Sequence, residues 1–359
     1  MFKNILRSIV AIIFIASGFV KAVDSVGFSF KLEEYFSPGV FDLPFLEQFA
    51  LPISIFVVAL ELILGFALLL KIDLKRVLKI LIALCVFFGF LTFYSAYYNK
   101  VTDCGCFGDA IKFTPWQSFF KDIILLIGLI ILWFLYKKEE KQDQSIVKKI
   151  ALIVFGIASA IIITLGIISE PLIDFRAYKI GTNLVEEKIK IAENPSEYKV
   201  FYTLKNKNTG ELKEVMQDDY IKDNEYWKEG TVWEILTDKS DSKLTKEGYS
   251  SEISKFQLTD AAGKNITEDV LKAPKAVVIF SYAPSKVDTD DLIEIETFFK
   301  GTPETFVLGV SPDLGVYKFV KQATMDGTAI KTIARTNPFV VFFENGKIMD
   351  KGPAKSYLK

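Results

Sequence analysis

Five long apolar segments in the first 170 residues constrain this chain more than any other feature. They cover approximately residues 5–20, 51–70, 77–98, 119–136 and 146–168. A helix rises ~1.5 Å per residue, so about 20 apolar residues cross the ~30 Å hydrocarbon layer of a membrane. The first segment is the shortest, and a secretory signal peptide is its alternative interpretation, which the absence of a small-x-small cleavage site disfavours. The pattern predicts an α-helical bundle that spans a membrane five times.

The composition changes near Ser169 and Glu170, where the long apolar runs end. Beyond this point charged and apolar residues alternate, as they do in a water-soluble domain. We therefore predict four regions: a four-helix membrane domain (1–140), a cytoplasmic loop with a fifth transmembrane helix (141–170), a β-rich linker region (171–253) and an α/β domain (254–359).

Composition also excludes several classes of function. The formal net charge is -1 and no basic stripe is present, so there is no electrostatic case for nucleic-acid binding. The chain has no histidine, which excludes Ser-His and Cys-His catalytic pairs and histidine metal sites. Proton chemistry must therefore use carboxylates, lysine, tyrosine or thiols.

The loops predict the orientation of the bundle, because lysine and arginine are enriched on the cytoplasmic side. Basic residues cluster before the first apolar segment, between the second and third, and between the fourth and fifth. The loops at 21–50 and 99–118 are poor in them. We therefore expect a cytoplasmic N-terminus and a C-terminal domain on the outer face, together with the loop at 99–118.

That outer loop contains Cys104-Gly105-Cys106. Two cysteines one residue apart lie up to ~7 Å apart when extended, whereas a disulfide needs Cα atoms ~4.4–6.8 Å apart, so the chain must turn at Gly105. Strained, exposed disulfides exchange readily, and we predict that Cys104 and Cys106 are a catalytic redox pair. A static disulfide that closes the loop and a soft-metal site including Asp103 and Asp109 are the alternatives. Two thiolates without histidine make a poor metal site, so we expect no metal.

Glu61 lies near the middle of the second apolar segment, where a charge costs about 2.5–3.5 kcal/mol on insertion scales. It is either a proton-handling or ligand-contacting carboxylate, or a residue that locks helices together. The candidate partners are Lys21, Tyr94, Ser95 and Lys121. The remaining cysteine, Cys85, is separated from Cys104 by ~28 Å of helix and cannot pair with it.

Two charged pairs mark the outer membrane boundary. Lys21 and Asp24 follow the first apolar segment, and Lys121 and Asp122 begin the fourth. Interfacial anchoring by side chains that reach toward water is the favoured interpretation, with a functional charge cluster as the alternative.

The membrane part resembles the methylamine-utilisation MauE and DoxX-like membrane proteins, a four-helix family. The resemblance rests on the stretches at 17–24, 31–36, 59–61, 103–109 and 114–116. It implies a role in maturing periplasmic enzymes that contain disulfides, and it invites comparison with quinone-coupled disulfide-forming proteins such as DsbB and vitamin K epoxide reductase. A periplasmic client and a quinone acceptor are therefore expected. Those enzymes use two cysteine pairs, and this chain has one outer pair.

The C-terminal region has the pattern of strand, helix, strand, helix and hairpin. The predicted strands cover 276–282 and 305–310, the helices 288–300 and 314–323, and the hairpin 339–344 with 347–350 around Asn345-Gly346. An earlier hairpin is predicted from 202–204 and 213–215, with a polar turn at 206–210. The C-terminal order is typical of a thioredoxin-like domain.

This domain resembles the redoxin branch of the thioredoxin-like fold over about 254–359, from Phe256-Gln257-Leu258-Thr259-Asp260 and Gly263-Lys264 onward. Asn337 and Pro338 stand where that family keeps its cis-proline, so the resemblance makes them candidate partner-binding residues. Where the family has Cys-x-x-Cys, this chain has 283–286, Ala-Pro-Ser-Lys, without a thiol. We therefore predict a degenerate module that docks a partner.

The whole arrangement resembles an uncharacterised DoxX-family group from Bacteroidetes-type bacteria, which implies a bacterial inner-membrane protein with a periplasmic C-terminal domain. Our first functional hypothesis is a thiol-disulfide maturation factor that uses Cys104 and Cys106. The alternatives are a non-enzymatic membrane scaffold or binding protein and a small-solute transporter that uses Glu61.

Overall fold

The computed structural model describes residues 1–101, 105, 107–137 and 145–358. Its first part confirms the five predicted transmembrane helices, which are long and apolar enough to cross a membrane. They are α1 Phe2–Val23, α4 Ala50–Leu70, α5 Leu74–Tyr98, α6 Pro115–Tyr136 and α7 Ile146–Ile168. Two further helices, α2 Ser25–Phe36 and the short α3 Pro44–Glu47, lie between α1 and α4 in the segment predicted as a loop.

Small residues let α1 and α4 pack closely, as is usual between helices in a membrane. A Cβ atom on Gly18 of α1 would lie 3.0 Å from Cγ of Leu62. One on Gly65 of α4 would lie 3.1 Å from Cγ1 of Ile15. Leucine and isoleucine therefore fill the space that each glycine leaves on the facing helix.

Residues 182–256 form a separate compact unit. Its elements are α8 Leu184–Glu193, β1 Glu197–Asn206, β2 Leu212–Met216, α9 Gln217–Lys222 and β3 Trp233–Lys246. The strands form an antiparallel sheet in the order β2-β1-β3, and the pairing of β1 with β2 confirms the predicted hairpin. Leu204, Val215, Tyr226 and Trp233 form its core.

The last part of the chain is an α/β domain with a six-stranded sheet in the order β4-β7-β6-β5-β8-β9. Its elements are β4 Thr259–Asp260, α10 Thr267–Leu271, β5 Ala276–Phe280, α11 Thr289–Lys300, β6 Phe306–Ser311, β7 Lys321–Thr324, α12 Gly327–Ile333, β8 Phe339–Glu344 and β9 Lys347–Pro353. β5 is parallel to β6 and antiparallel to β8, which pairs with β9 in the predicted hairpin. The strand order and directions confirm the thioredoxin-like fold.

The predicted helix at 314–323 is wrong. This stretch is an irregular loop that ends in β7, and the second helix of the domain is α12, farther along the chain. The buried carboxylate of Glu296 explains the difference, because its Oε2 accepts hydrogen bonds from the backbone N–H groups of residues 318, 319 and 320, at 2.8, 2.5 and 3.2 Å. A side chain thus satisfies donors that a helix would otherwise pair within its own backbone.

We expect Glu296→Ala to lower the free energy of unfolding of this domain by about 3 kcal/mol, since it leaves three backbone donors without their acceptor. Thermal unfolding of the purified chain in detergent measures the effect. Glu294→Ala is the matched control, because Glu294 is an exposed residue of the same helix. Equal stability of the two variants would contradict this role of Glu296.

Candidate functional site

A buried ion pair joins α1 to α4 inside the bundle. Nζ of Lys21 lies 2.5 Å from Oε2 of Glu61, and the two side chains are 2% and 3% exposed. Among the predicted partners of Glu61, the structure therefore places Lys21 beside it. The interfacial-anchoring interpretation is wrong for Lys21, because its ammonium group points into the bundle. There it also lies over the rings of Phe28 and Phe88, at 5.3 and 4.9 Å.

A second pair lies on α6, where Nζ of Lys121 is 2.9 Å from Oδ1 of Asp122. The hydroxyl of Thr92 donates a hydrogen bond to Oδ2 of Asp122 at 3.2 Å, and the thiol of Cys85 donates to its backbone carbonyl at 3.7 Å. The Lys121 ammonium also lies 5.3 Å from the centre of the Phe107 ring. Lys121 therefore links this pair to the residue that follows Cys106 in the sequence.

A small cavity of about 20 Å³ is shared by the two ion pairs. Its lining consists of Ile13, Phe14, Ser17, Lys21, Glu61, Cys85, Phe88, Lys121, Asp122 and Leu125. A cavity of this size with polar walls can hold one water molecule. An engineered cavity that binds a benzene ring has about 150 Å³, so this cavity of about 20 Å³ does not fit a quinone ring. The sequence did not predict that Cys85 and Thr92 contact Asp122, since neither of these two residues carries a charge.

Cys104 and Cys106, the predicted redox pair, lie outside the described residues, as does Asp103. Between the cysteines, Gly105 has a positive φ of 64°, which glycine adopts without strain. The N–H of Gly108 donates a hydrogen bond to the carbonyl of Gly105 at 3.0 Å. A Cβ atom on Gly105 would lie 2.9 Å from Cγ of Lys31, so the backbone of this turn packs tightly against α2.

Asp24, the residue that follows α1, contacts the thioredoxin-like domain. It caps α2 by accepting a hydrogen bond from the N–H of Gly27 at 2.9 Å. Nε of Arg335 donates to both carboxylate oxygens of Asp24, at 2.8 and 2.9 Å, and its Nη2 donates to Asp109 at 3.0 Å. Burial by itself would raise the pKa of Asp24, but the Arg335 guanidinium outweighs it and the pKa is lowered.

The same face of the domain makes further contacts with α2. Lys331 forms an ion pair of 2.7 Å with Glu33. The rings of Phe30 and Tyr282 meet edge to face with their centres 5.2 Å apart, and burial raises the pKa of Tyr282 to about 12. Charge pairing and an aromatic contact therefore act together at this surface.

The predicted partner-binding residues lie in the loop before β8, and the Asn337-Pro338 peptide bond is cis. The side chain of Asn337 donates a hydrogen bond to the carbonyl of Ala283 at 2.7 Å and accepts one from the hydroxyl of Ser281 at 2.8 Å. It thus holds this loop against the position where related domains carry their thiols. The binding of a partner by Asn337 and Pro338 stays a prediction.

A second charge cluster connects the end of α7 to the domain. Lys351 lies 2.6 Å from Asp174 and 3.2 Å from Glu170, and Arg176 pairs with the same two carboxylates. Arg176 also donates a hydrogen bond to the carbonyl of Ile333 at 2.9 Å. Burial would raise the pKa of Asp174, but the neighbouring Arg176 and Lys351 lower it.

Comparison with known proteins identifies relatives of this chain. The family model of the methylamine utilisation protein MauE matches residues 1–135, which confirms the resemblance of the membrane part to MauE, whereas the relation to DoxX stays a prediction. Protein TlpB of Flavobacterium psychrophilum is 30% identical over 169 residues, which are 46% of this chain. The chain spans 43% of the length of TlpB.

A solved structure, the C-terminal domain of a candidate thiol-disulfide oxidoreductase from Bacteroides thetaiotaomicron, is 19% identical to this chain. The match covers 27% of this chain and 80% of that domain, with a TM-score of 0.20. The thioredoxin-like fold of this chain therefore rests on its own strand order and directions.

We expect Lys21→Met to lower the free energy of unfolding by about 3–5 kcal/mol, because it leaves the Glu61 carboxylate buried without its partner. The double variant Lys21→Met, Glu61→Leu removes both charges and is expected to recover most of this loss. Thermal unfolding in detergent measures both variants. Lys272→Met is the matched control, since its ion pair with Glu268 is exposed. A double variant as unstable as Lys21→Met would contradict this account.

The pKa of Asp24 predicts how contact between α2 and the domain depends on pH. A carboxylate whose pKa is lowered by folding stabilises the contact above its ordinary value of 3.8, and this contribution is lost as the pH falls through the lowered pKa. We expect the domain to become protease-sensitive in that acid range and Asp24→Asn to be sensitive at neutral pH already. Glu33 and Asp109 face the same surface, so Asp24→Asn isolates the part of the acid transition that belongs to Asp24.

Proposed function

We propose that this protein is a membrane-bound thiol-disulfide maturation factor of the bacterial envelope, in which Cys104 and Cys106 exchange with the thiols of a client protein. The observation that carries the proposal is the left-handed backbone of Gly105, the turn that a Cys-Gly-Cys pair needs to bring its sulfurs together. The match to the MauE family supports it for the membrane part. The thioredoxin-like domain has no cysteine of its own.

The reaction is a thiol-disulfide exchange. A client thiolate attacks one sulfur of the Cys104–Cys106 disulfide, whose bond breaks as a mixed disulfide forms. The second client thiol then displaces the protein and forms the client disulfide. The client dithiol loses two electrons and two protons, and Cys104 and Cys106 gain them. A membrane quinone is the predicted class of final acceptor, although the cavity beside Glu61 does not fit its ring.

We place the protein in the inner membrane, with the N-terminus in the cytoplasm and the thioredoxin-like domain in the periplasm. The distribution of lysine and arginine among the loops supports this orientation. The ion pairs of Arg335 with Asp24 and Asp109 support one part of it, because they require the segments after α1 and α5 to lie on the same side of the membrane as the domain.

Transport of a solute past Glu61 gains no support from the bundle. Glu61 is paired with Lys21, and the cavity that both residues line has room for one water molecule. The scaffold hypothesis is tested by the same experiment as the redox hypothesis, because the two differ in whether Cys104 and Cys106 exchange.

The test is alkylation trapping in growing cells. All variants carry Cys85→Ser, so that a gel shift reports the two loop thiols alone. We expect a mixture of oxidised and reduced Cys104 and Cys106 in the parent. In Cys106→Ser we expect a mixed disulfide with a client, which forms when the Cys104 thiolate attacks the disulfide of an oxidised client and releases one client thiolate; it persists because no Cys106 thiol is present to displace the client.

The double variant Cys104→Ser, Cys106→Ser is the control, and it should trap no client and should lose maturation of the trapped client. A permanently oxidised pair that traps no partner, together with full client maturation in the double variant, would sink the redox proposal in favour of the scaffold.

A further inference from the structure

Arg335 uses its whole guanidinium group at the junction between the domain and the bundle. Its side chain is 3% exposed, Nε donates to Asp24, and Nη2 donates to Asp109. Its Nη1 donates to the backbone carbonyl of Lys331, one helical turn earlier in its own domain. A planar fork of donors suits this arrangement, and a lysine could not reproduce it.

The first turn of α2 leaves room for the Arg335 guanidinium group. A Cβ atom on Gly27 would lie 2.5 Å from Oδ2 of Asp24 and 2.9 Å from Nη2 of Arg335. Glycine at this position therefore leaves the space that the guanidinium and the carboxylate fill. The stacking of Arg335 over the ring of Phe30, 5.8 Å from its centre, adds a contact on another side.

Asp109 connects Arg335 to the segment that follows the cysteine pair. It stands three residues after Cys106, in a turn where Gly108 bonds to Gly105 and Ala110 donates to the carbonyl of Phe107 at 3.2 Å. The side chain of Asp109 is 31% exposed, whereas that of Arg335 is only 3% exposed. Part of this turn is therefore held by a residue that lies 226 positions later in the sequence.

We propose that Arg335 is a positioning residue for the cysteine pair, so that the thioredoxin-like domain controls the reactivity of thiols that it does not carry. Arg335 holds Asp109, and Asp109 restrains the chain on the C-terminal side of Cys106. The biological use of this control rests on the proposed function, but the restraint itself does not. The face of the domain that includes Tyr282, Lys331 and Arg335 packs on α2.

The experiment measures how fast a maleimide alkylates the reduced cysteine pair of the full chain in membrane vesicles, with Cys85→Ser in every variant. We expect Arg335→Ala and Asp109→Asn each to raise the rate about fivefold or more, because each change removes the ion pair that holds Asp109. Lys355→Ala is the matched control, since its ion pair with Asp291 is an exposed contact within the same domain. Its rate should stay within about twofold of the parent.

A second readout separates positioning from simple loss of structure. Asp109→Asn leaves the contacts of Arg335 with Asp24 and of Lys331 with Glu33, so protease resistance of the domain should stay at the parent level. The ratio of reduced to oxidised cysteine pair at a fixed glutathione ratio should nevertheless shift by about threefold or more.

Parent-like rates in Asp109→Asn would overturn the proposal, whether or not Arg335→Ala alters the rate, because the link through Asp109 is its essential step. Trapping of a client in cells is independent of these rates. A changed rate in Asp109→Asn without any trapped client would refute the proposed function and leave the positioning role in place.

Discussion

The ion pairs of one buried arginine connect the parts of this chain that carry its predicted chemistry. Arg335 belongs to the thioredoxin-like domain, and its two carboxylate partners belong to segments that follow different transmembrane helices. A buried guanidinium has to be compensated by charge and by hydrogen bonds, and here the compensating charge comes from two carboxylates of the membrane part. The contact therefore specifies one orientation of the domain on the bundle, since another orientation would leave the charge without partners.

The cost of burying a charge also applies inside the bundle, where a second ion pair compensates it. A charged residue in the hydrocarbon layer is costly, and the bundle meets this cost by pairing Lys21 with Glu61 across α1 and α4. The close approach of these helices through Gly18 and Gly65 places the two side chains within reach of each other. The adjoining cavity is polar but small, so the arrangement stabilises the helix packing and leaves room for a single water rather than a ligand.

Sequence patterns predicted the elements whose periodicity is strong and local. The five apolar helices, the strands predicted at 276–282 and 305–310 and the hairpin at Asn345-Gly346 have such patterns, and the structure confirms them. The helix predicted at 314–323 failed because Glu296, from another element, binds the backbone there. Arg335 was missed for a related reason, since its partners lie hundreds of residues away and nothing in its local sequence indicates them.

The domain without thiols can be understood from these contacts. A redox-active thioredoxin-like domain needs its thiols accessible on the face formed by the loops after β5 and before β8, where Ala283 and Asn337 meet here. In this chain the neighbouring Tyr282 and Arg335 contact α2 instead. Thiols at 283–286 would stand beside a surface committed to an intramolecular contact, and a client would have to displace that contact to reach them. A chain that keeps its cysteine pair on the membrane part avoids this competition.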